Sequence, residues 1–447
     1  MTDKDITSEG LRVGIGFPSA VMLVMGGIVG VGIFVNPAVV ARGLDSPLLI
    51  LAAWATGGLI ALLGAFVYAE LAARMPSTGG EYVYMRETYG PLAGFLFGWT
   101  TLLVVQAGGM AAVTIVFARN LNVLVGGALP DKGVVVATLG LLAGINCIGV
   151  RSGNGVQALL GVLKVLAITA LIMAGLWFTP QIGFKPGEHL HVASSDPWKA
   201  FGAALIPVVF SYGGWQTANY VAGEIRNPAR NLARALLVGV IGVITLYLLV
   251  NIACLRALGA EPLGRSLTPT SDVLQIATGP IGAMLAAGVI ALSAFAYLSQ
   301  SMLTGPRVYF AMARDGLFFR QVANVGETSR APMIAIILQA VWTGILALSG
   351  SYEQILSYVT SMNFLFFGLS ASCLFVLRRR ETKVGKGADG YRALWHPWTT
   401  GLFIAACAVI VGCSFWAYPV NSLVGYAIML VGVPPYLYWR RQKAKTA

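Results

Sequence analysis

Apolar residues run along this chain in long blocks separated by short polar segments. Each block approaches the roughly 20 residues an α-helix needs to cross a bilayer. Twelve blocks are read, at about 13–41, 47–73, 91–118, 133–150, 156–178, 199–222, 234–257, 273–302, 333–350, 354–377, 398–417 and 422–439. The pattern predicts an all-α membrane protein with twelve transmembrane helices. Two blocks are interrupted. The first reads GGIVGVGIFVNP from Gly26 to Pro37, with Gly26, Gly27, Gly30 and Gly32 where a helix should be continuous. The sixth reads VFSYGGWQTANYVAGEIRNPARNL from Val209 to Leu232, with Gly213 and Gly214 at its centre. Glycine weakens a helix by roughly 1 kcal/mol against alanine. In hydrocarbon, unwound backbone is tolerated only where it faces protein or a water-filled site. The two breaks therefore mark where a ligand binds.

The interrupted spans are the first and the sixth. A repeat of five spans enters the membrane upside down relative to its twin. Paired broken helices at matching places in two halves are the sequence mark of an inverted-repeat secondary transporter. A break creates a helix N-terminus with unpaired N–H groups and a C-terminus with exposed carbonyls. An amino acid zwitterion uses both ends. Its carboxylate is expected on the amides of Gly30, Val31 and Gly32, and its ammonium on carbonyls near Ile28, Phe210 and Ser211.

Composition sharpens the class. The 447 residues are 57% hydrophobic and 11% charged, well under the roughly 25% charge of a soluble protein, and no stretch suits a separate soluble domain. The net charge of +12 raises a nucleic-acid reading, which the distribution of the charges removes. With the N-terminus inside, the cytoplasmic segments hold 22 of the 30 Lys/Arg and the external segments 7. That split follows the positive-inside rule and puts both termini in the cytoplasm. The segment before the first span lacks the basic start and short apolar core of a signal peptide, so that span is expected to remain in the membrane. The resulting division is a cytoplasmic N-terminus (1–12), a transporter core of ten spans (13–377), spans 11 and 12 (398–439) and a cytoplasmic C-terminus (440–447). Five cysteines and three histidines lack metal-ligand spacing, no nucleophile–base pair stands in the spans, and no cofactor, metal site or enzymatic activity is expected.

These segments resemble the amino acid–polyamine–organocation superfamily, and within it the L-type amino acid transporters and their bacterial relatives. GIVGVGIFVNP is similar to the family's first-span pattern, the 209–232 segment to its sixth-span pattern, and AELAARMPSTGGEYVYM (Ala69 to Met85) to the loop after its second span. The resemblance implies the five-plus-five, leucine-transporter-type fold and amino acid transport by alternating access. It implies carboxylate binding at Gly30, Val31 and Gly32, an aromatic gate at Phe210, and Trp215 and Gln216 lining the site or its path, beside Gly213 in the break. Many relatives carry serine where this chain has Val31, and several carry asparagine where it has Gln216.

Lys164 stands inside the fifth apolar block, where an ionisable residue marks function by default. Two readings compete: the side chain snorkels to the surface, or its ammonium takes the place of a coupling cation, bridging the broken first span to the eighth, with Ser293 as partner there. The resemblance supports the second, since the L-type group carries a lysine here. No acidic residue lies mid-span, and neutral amino acids are favoured as cargo. The loop 119–132, where heavy-chain-paired relatives carry a linking cysteine, has none, so no disulfide-linked heavy chain is expected. The sequence thus predicts a sodium-independent exchanger of neutral L-amino acids in the inner (plasma) membrane bilayer. The alternative is a proton-coupled symporter or a cationic amino acid/amine antiporter.

Overall fold

Proline and glycine punctuate the helices. Pro47, Pro91, Pro228 and Pro269 open the first turns of their helices, where the missing N–H has no intrahelical acceptor to lose. The computed structural model describes residues 11, 13–44, 46–148, 150–179, 197–327, 329–349, 352–384, 390–417 and 419–446. Most of the N-terminal segment, His189, His191 and Lys386 fall outside the described residues.

Among the described residues the regular elements are helical, and strand-type pairing is confined to one isolated parallel bridge, Ile15 to Ile225. Among the described residues nine helices are long and apolar enough to cross a membrane, ten if the bent pair Phe17–Ile28 and Gly32–Gly43 is one span. The sixth expected span is α-helical only over Pro197–Tyr212, 16 residues, and the ninth is the 17-residue helix Met333–Ser349. The span at Pro91–Leu124 passes through a π-helical stretch, Thr101–Val105.

One helix shows how sequence sets orientation. In Val150–Trp177 the positions 157, 160, 164, 168 and 171 are buried, a stripe at helical spacing, while Leu159, Val162, Leu166 and Met173 are exposed. The exposed apolar face suits lipid, and Lys164 lies on the inward stripe. This helix packs on Phe17–Ile28, on Pro228–Leu258 and on Gly282–Thr304. Pro228–Leu258 also lies along Pro47–Arg74, while Gly32–Gly43 packs on Pro197–Tyr212. The two interrupted segments thus pack on each other and on these longer helices.

The N-terminal chain is tied to the far end of the second interrupted segment. The N–H groups of Gly14 and Ile15 donate to the Glu224 carbonyl at 3.0 and 3.1 Å, and the Arg226 N–H donates to the Ile15 carbonyl at 2.9 Å.

Candidate functional site

The first helix ends at Ile28 and a new one starts at Gly32, with a 40° bend between them. The second interruption has a different form. The helix stops at Tyr212, Gly214 takes φ +108, and the chain continues from Trp215 to Glu224 as a 3-10 helix rather than an α-helix. The two breaks touch backbone to backbone. A Cβ on Gly214 would stand 2.0 Å from the Gly27 carbonyl oxygen, and one on Gly27 would stand 2.6 Å from the Gly214 oxygen. Side chains are absent from both sides of the contact because there is no room for them.

Three polar side chains hold the exposed carbonyls of the first break. Lys164 Nζ donates to the Gly26 carbonyl at 3.1 Å and to that of Val29. Its side chain is buried, so it reaches the break and does not snorkel. Ser293 Oγ donates to the Gly30 carbonyl at 3.1 Å. Lys164 and Ser293 therefore meet the same turn from two helices. Tyr247 Oη lies 3.1 Å from the carbonyl oxygens of both Ile28 and Ser211, a shared donor joining the first break to the second. Asn36 Nδ2 donates to the Pro207 carbonyl at 2.9 Å and to Ser211 Oγ at 2.8 Å. Across the second break, the Gly214 N–H donates to Gln216 Oε1 at 3.0 Å, and Gln300 Nε2 donates to Thr217 Oγ1 at 2.7 Å.

The N–H groups of Gly30, Val31 and Gly32 are at the same break. They donate to no acceptor among the described residues, as expected for the start of a helix. A cavity of about 60 Å³ opens here, room for a few water molecules. Ile28, Gly30, Val31, Gly32, Phe210, Ser211, Gly213 and Gln216 line it, so eight of the nine residues expected at the substrate are brought together. Trp215 is not among them. Its ring is buried behind the break against Tyr68, at 4.8 Å between centroids, and lines a separate small cavity with Phe367 and Phe403.

Gly109 and Thr217, which sequence reasoning missed, also line the main cavity, together with Tyr297, read from the sequence only as narrowing the pocket, and Gln106 and Asn363, read there as helix–helix hydrogen bonders. A polar or small residue in an apolar helix, or in the 3-10 segment that holds Thr217, has many structural uses. Tyr247 was missed as well, because a tyrosine amid leucines reads as packing. Among the described residues no Asp, Glu, Lys or Arg lines the cavity.

With this geometry in place, the likeness to known proteins is informative. A family model described as amino acid permease matches residues 15–438. The chain is 31% identical over 446 residues to the serine/threonine exchanger SteT of Bacillus subtilis (strain 168), an overlap of 98% of this chain and 99% of that one. It is 29% identical to the human large neutral amino acids transporter small subunit 2, over 97% of this chain and 82% of that one. It is 27% identical to the mouse b(0,+)-type amino acid transporter 1, over 94% and 85% of the two chains.

Proposed function

The chain belongs to the amino acid permease family, it is a multi-pass membrane transporter of amino acids and not an enzyme, and from that premise we propose that it exchanges neutral L-amino acids by alternating access, without sodium. The observation that carries this reading is the meeting of two glycine-broken segments at a cavity whose lining has no charged side chain. The substrate carboxylate sits on the N–H groups of Gly30, Val31 and Gly32, where the helix dipole favours an anion. The ammonium turns to the carbonyls of Ile28, Phe210 and Ser211. Two of these already accept from Tyr247, but a carbonyl oxygen has two lone pairs and keeps one acceptor site. Phe210 covers the substrate, and Gly213 and Gln216 complete the wall. The uncharged lining favours a neutral side chain, because a buried ionic one needs a partner.

Lys164 supplies the fixed positive charge at the turn where Ser293 also donates, so the site needs no metal ion there. Twelve spans in a five-plus-five inverted repeat, both termini cytoplasmic and a plasma-membrane location complete the proposal. Spans 1–10 form the core (13–377) and spans 11–12 lie outside it. The chain works without a disulfide-linked subunit, although the relatives named as small subunits assemble with another chain.

Counterflow into liposomes loaded with each of the twenty amino acids tests the reading. Uptake that requires an internal neutral amino acid and is indifferent to sodium is the expected result. Uptake driven by an inward proton gradient into empty liposomes would replace exchange with symport. Lys164→Ala is expected to insert normally and lose counterflow by at least tenfold, since two hydrogen bonds from a charged donor, each worth about 1.5–3 kcal/mol, leave the break. Wild-type rates in that variant would remove Lys164 from the mechanism.

A further inference from the structure

Three carboxylates are buried at one end of the helical assembly, and their surroundings differ. Glu224 is held by Arg307, with Nε 2.8 Å from Oε1. Glu70 is held by Arg74 and Arg378, each with a nitrogen 2.6 Å from a carboxylate oxygen, and by the Ala393 N–H. Glu81 is 1% exposed, yet no cation among the described residues is within ion-pair distance of it. Its partners are hydroxyls only. Tyr68 Oη lies 2.6 Å and Ser370 Oγ 3.4 Å from Oε1, and Tyr220 Oη lies 3.0 Å from Oε2.

The chain is built to put Glu81 there. Gly79 and Gly80 both have positive φ, +108 and +50, and a Cβ on Gly80 would stand 2.9 Å from the Tyr220 ring and 3.0 Å from the Asn219 carbonyl carbon. The Gly79 N–H donates to the Tyr220 carbonyl at 3.0 Å. This close approach drives the first turn of the helix Glu81–Tyr89 against the 215–224 segment, which descends directly from the second break. The three hydroxyls come from three elements: Tyr68 from Pro47–Arg74, Tyr220 from the 3-10 segment and Ser370 from Tyr352–Val384.

The other titratable or charged groups nearby are neutral or engaged elsewhere. Tyr84 and Cys373 feel the Glu81 charge, and the Tyr84 Oη contacts Asn219. From the helix Pro306–Arg314, Tyr309 is buried and Arg307 is on Glu224. Arg86 on the same short helix pairs with Asp315 and Glu87, and Arg380 donates to the carbonyls of Glu87 and Thr88. The packed segment Pro91–Thr100 has no titratable side chain.

We propose that Glu81 is a proton-binding site whose occupancy sets how firmly the 215–224 segment is held to the 81–89 helix. The ionised carboxylate accepts from three hydroxyls at once. The neutral acid has a proton of its own to donate, so one of those hydroxyls must turn from donor to acceptor, and the clasp loosens. The proton comes from solvent and returns to it. Burial supports the assignment: it pushes the Glu81 carboxyl up from the usual 4.5 to about 7, against the three hydroxyl bonds that pull it down.

The test needs no substrate, so it stands apart from the transport reading. Infrared spectra of the full-length protein in nanodiscs, titrated from about pH 5 to 9, are expected to show a protonated-carboxyl band that fades near neutrality and is missing in Glu81→Gln. Tyr220→Phe, which removes one donor to the charged form, is expected to raise the midpoint by about one pH unit. Thermal stability gives a second readout. The folded chain keeps this proton at a pH where the unfolded chain has lost it, so the Glu81 contribution falls as pH rises from about 4.5 to about 7. Glu81→Gln is expected to remove that part of the slope. Identical spectra and slopes in wild type and Glu81→Gln would overturn the proposal. If Glu81→Gln fails to fold, an unmoved midpoint in Tyr220→Phe would overturn it alone.

Discussion

At Gly214 the backbone holds φ +108, and a Cβ would be 2.0 Å from a main-chain oxygen that cannot swing aside. Gly214→Ala is therefore expected to cost at least about 3 kcal/mol, visible as a fall in melting temperature and loss of counterflow. Gly140→Ala is the control. That residue sits in the helix Asp131–Ile148 with nothing within 4 Å of its Cβ position, and alanine there is expected to be neutral or stabilising by up to about 1 kcal/mol. Equal behaviour of the two variants would mean that the breaks do not touch. The glycines were legible in the sequence because a cluster of them contradicts an apolar helix. Lys164 was legible for the same reason, as a charge in an apolar block. Glu81 was not, since an acidic residue in a polar loop is ordinary and only packing reveals its burial.

Elements carry information that single positions do not. Most helix boundaries follow the apolar blocks, because burial in lipid or protein selects the same residues that form the helix. The 215–224 segment escaped that logic. It lies in an apolar block, yet six of its ten residues (Trp, Thr, Asn, Tyr, Val and Gly) are weak α-helix formers, and between Gly214 and the contacts to Gly79 and Gly80 it takes a 3-10 form with non-helical φ/ψ at Val221. Trp215 is turned by that winding toward Tyr68 and away from the cavity. Tyr247 is the counterpart on the long helix Pro228–Leu258, where one hydroxyl joins both breaks. Tyr247→Phe keeps the ring contacts to Trp54 and Tyr212, at 5.7 and 5.0 Å between centroids, and removes only the bridge. The two breaks then lose about 1–2 kcal/mol of mutual support, and counterflow is expected to slow by roughly 5- to 30-fold with folding intact. Unchanged rates would show that the bridge does not couple the two segments.

For the molecule as a whole, the charge count predicts an orientation in the membrane, but no pattern in the sequence pairs Glu224 with Arg307, 83 residues apart. Both side chains are nearly inaccessible, at 0% and 1% exposure. They close the same end of the molecule at which the N-terminal chain is laced to residues 224–226. Desolvation makes such a pair a weak net contributor while it is intact and a costly one when halved. Glu224→Gln is therefore expected to lower stability by about 3–5 kcal/mol, because the Arg307 charge stays buried with neutral carbonyl oxygens beside it, those of Leu303 and of the new amide, and no countercharge. Combining it with Arg307→Met removes that charge too, and should recover most of the loss in a thermal melt. The pair then serves to hold the end shut rather than to stabilise the fold, and the rescued double variant should still show faster opening, read as a higher substrate exit rate from preloaded liposomes. A double variant as unstable as the single one would instead make the ion pair a plain structural element of the fold.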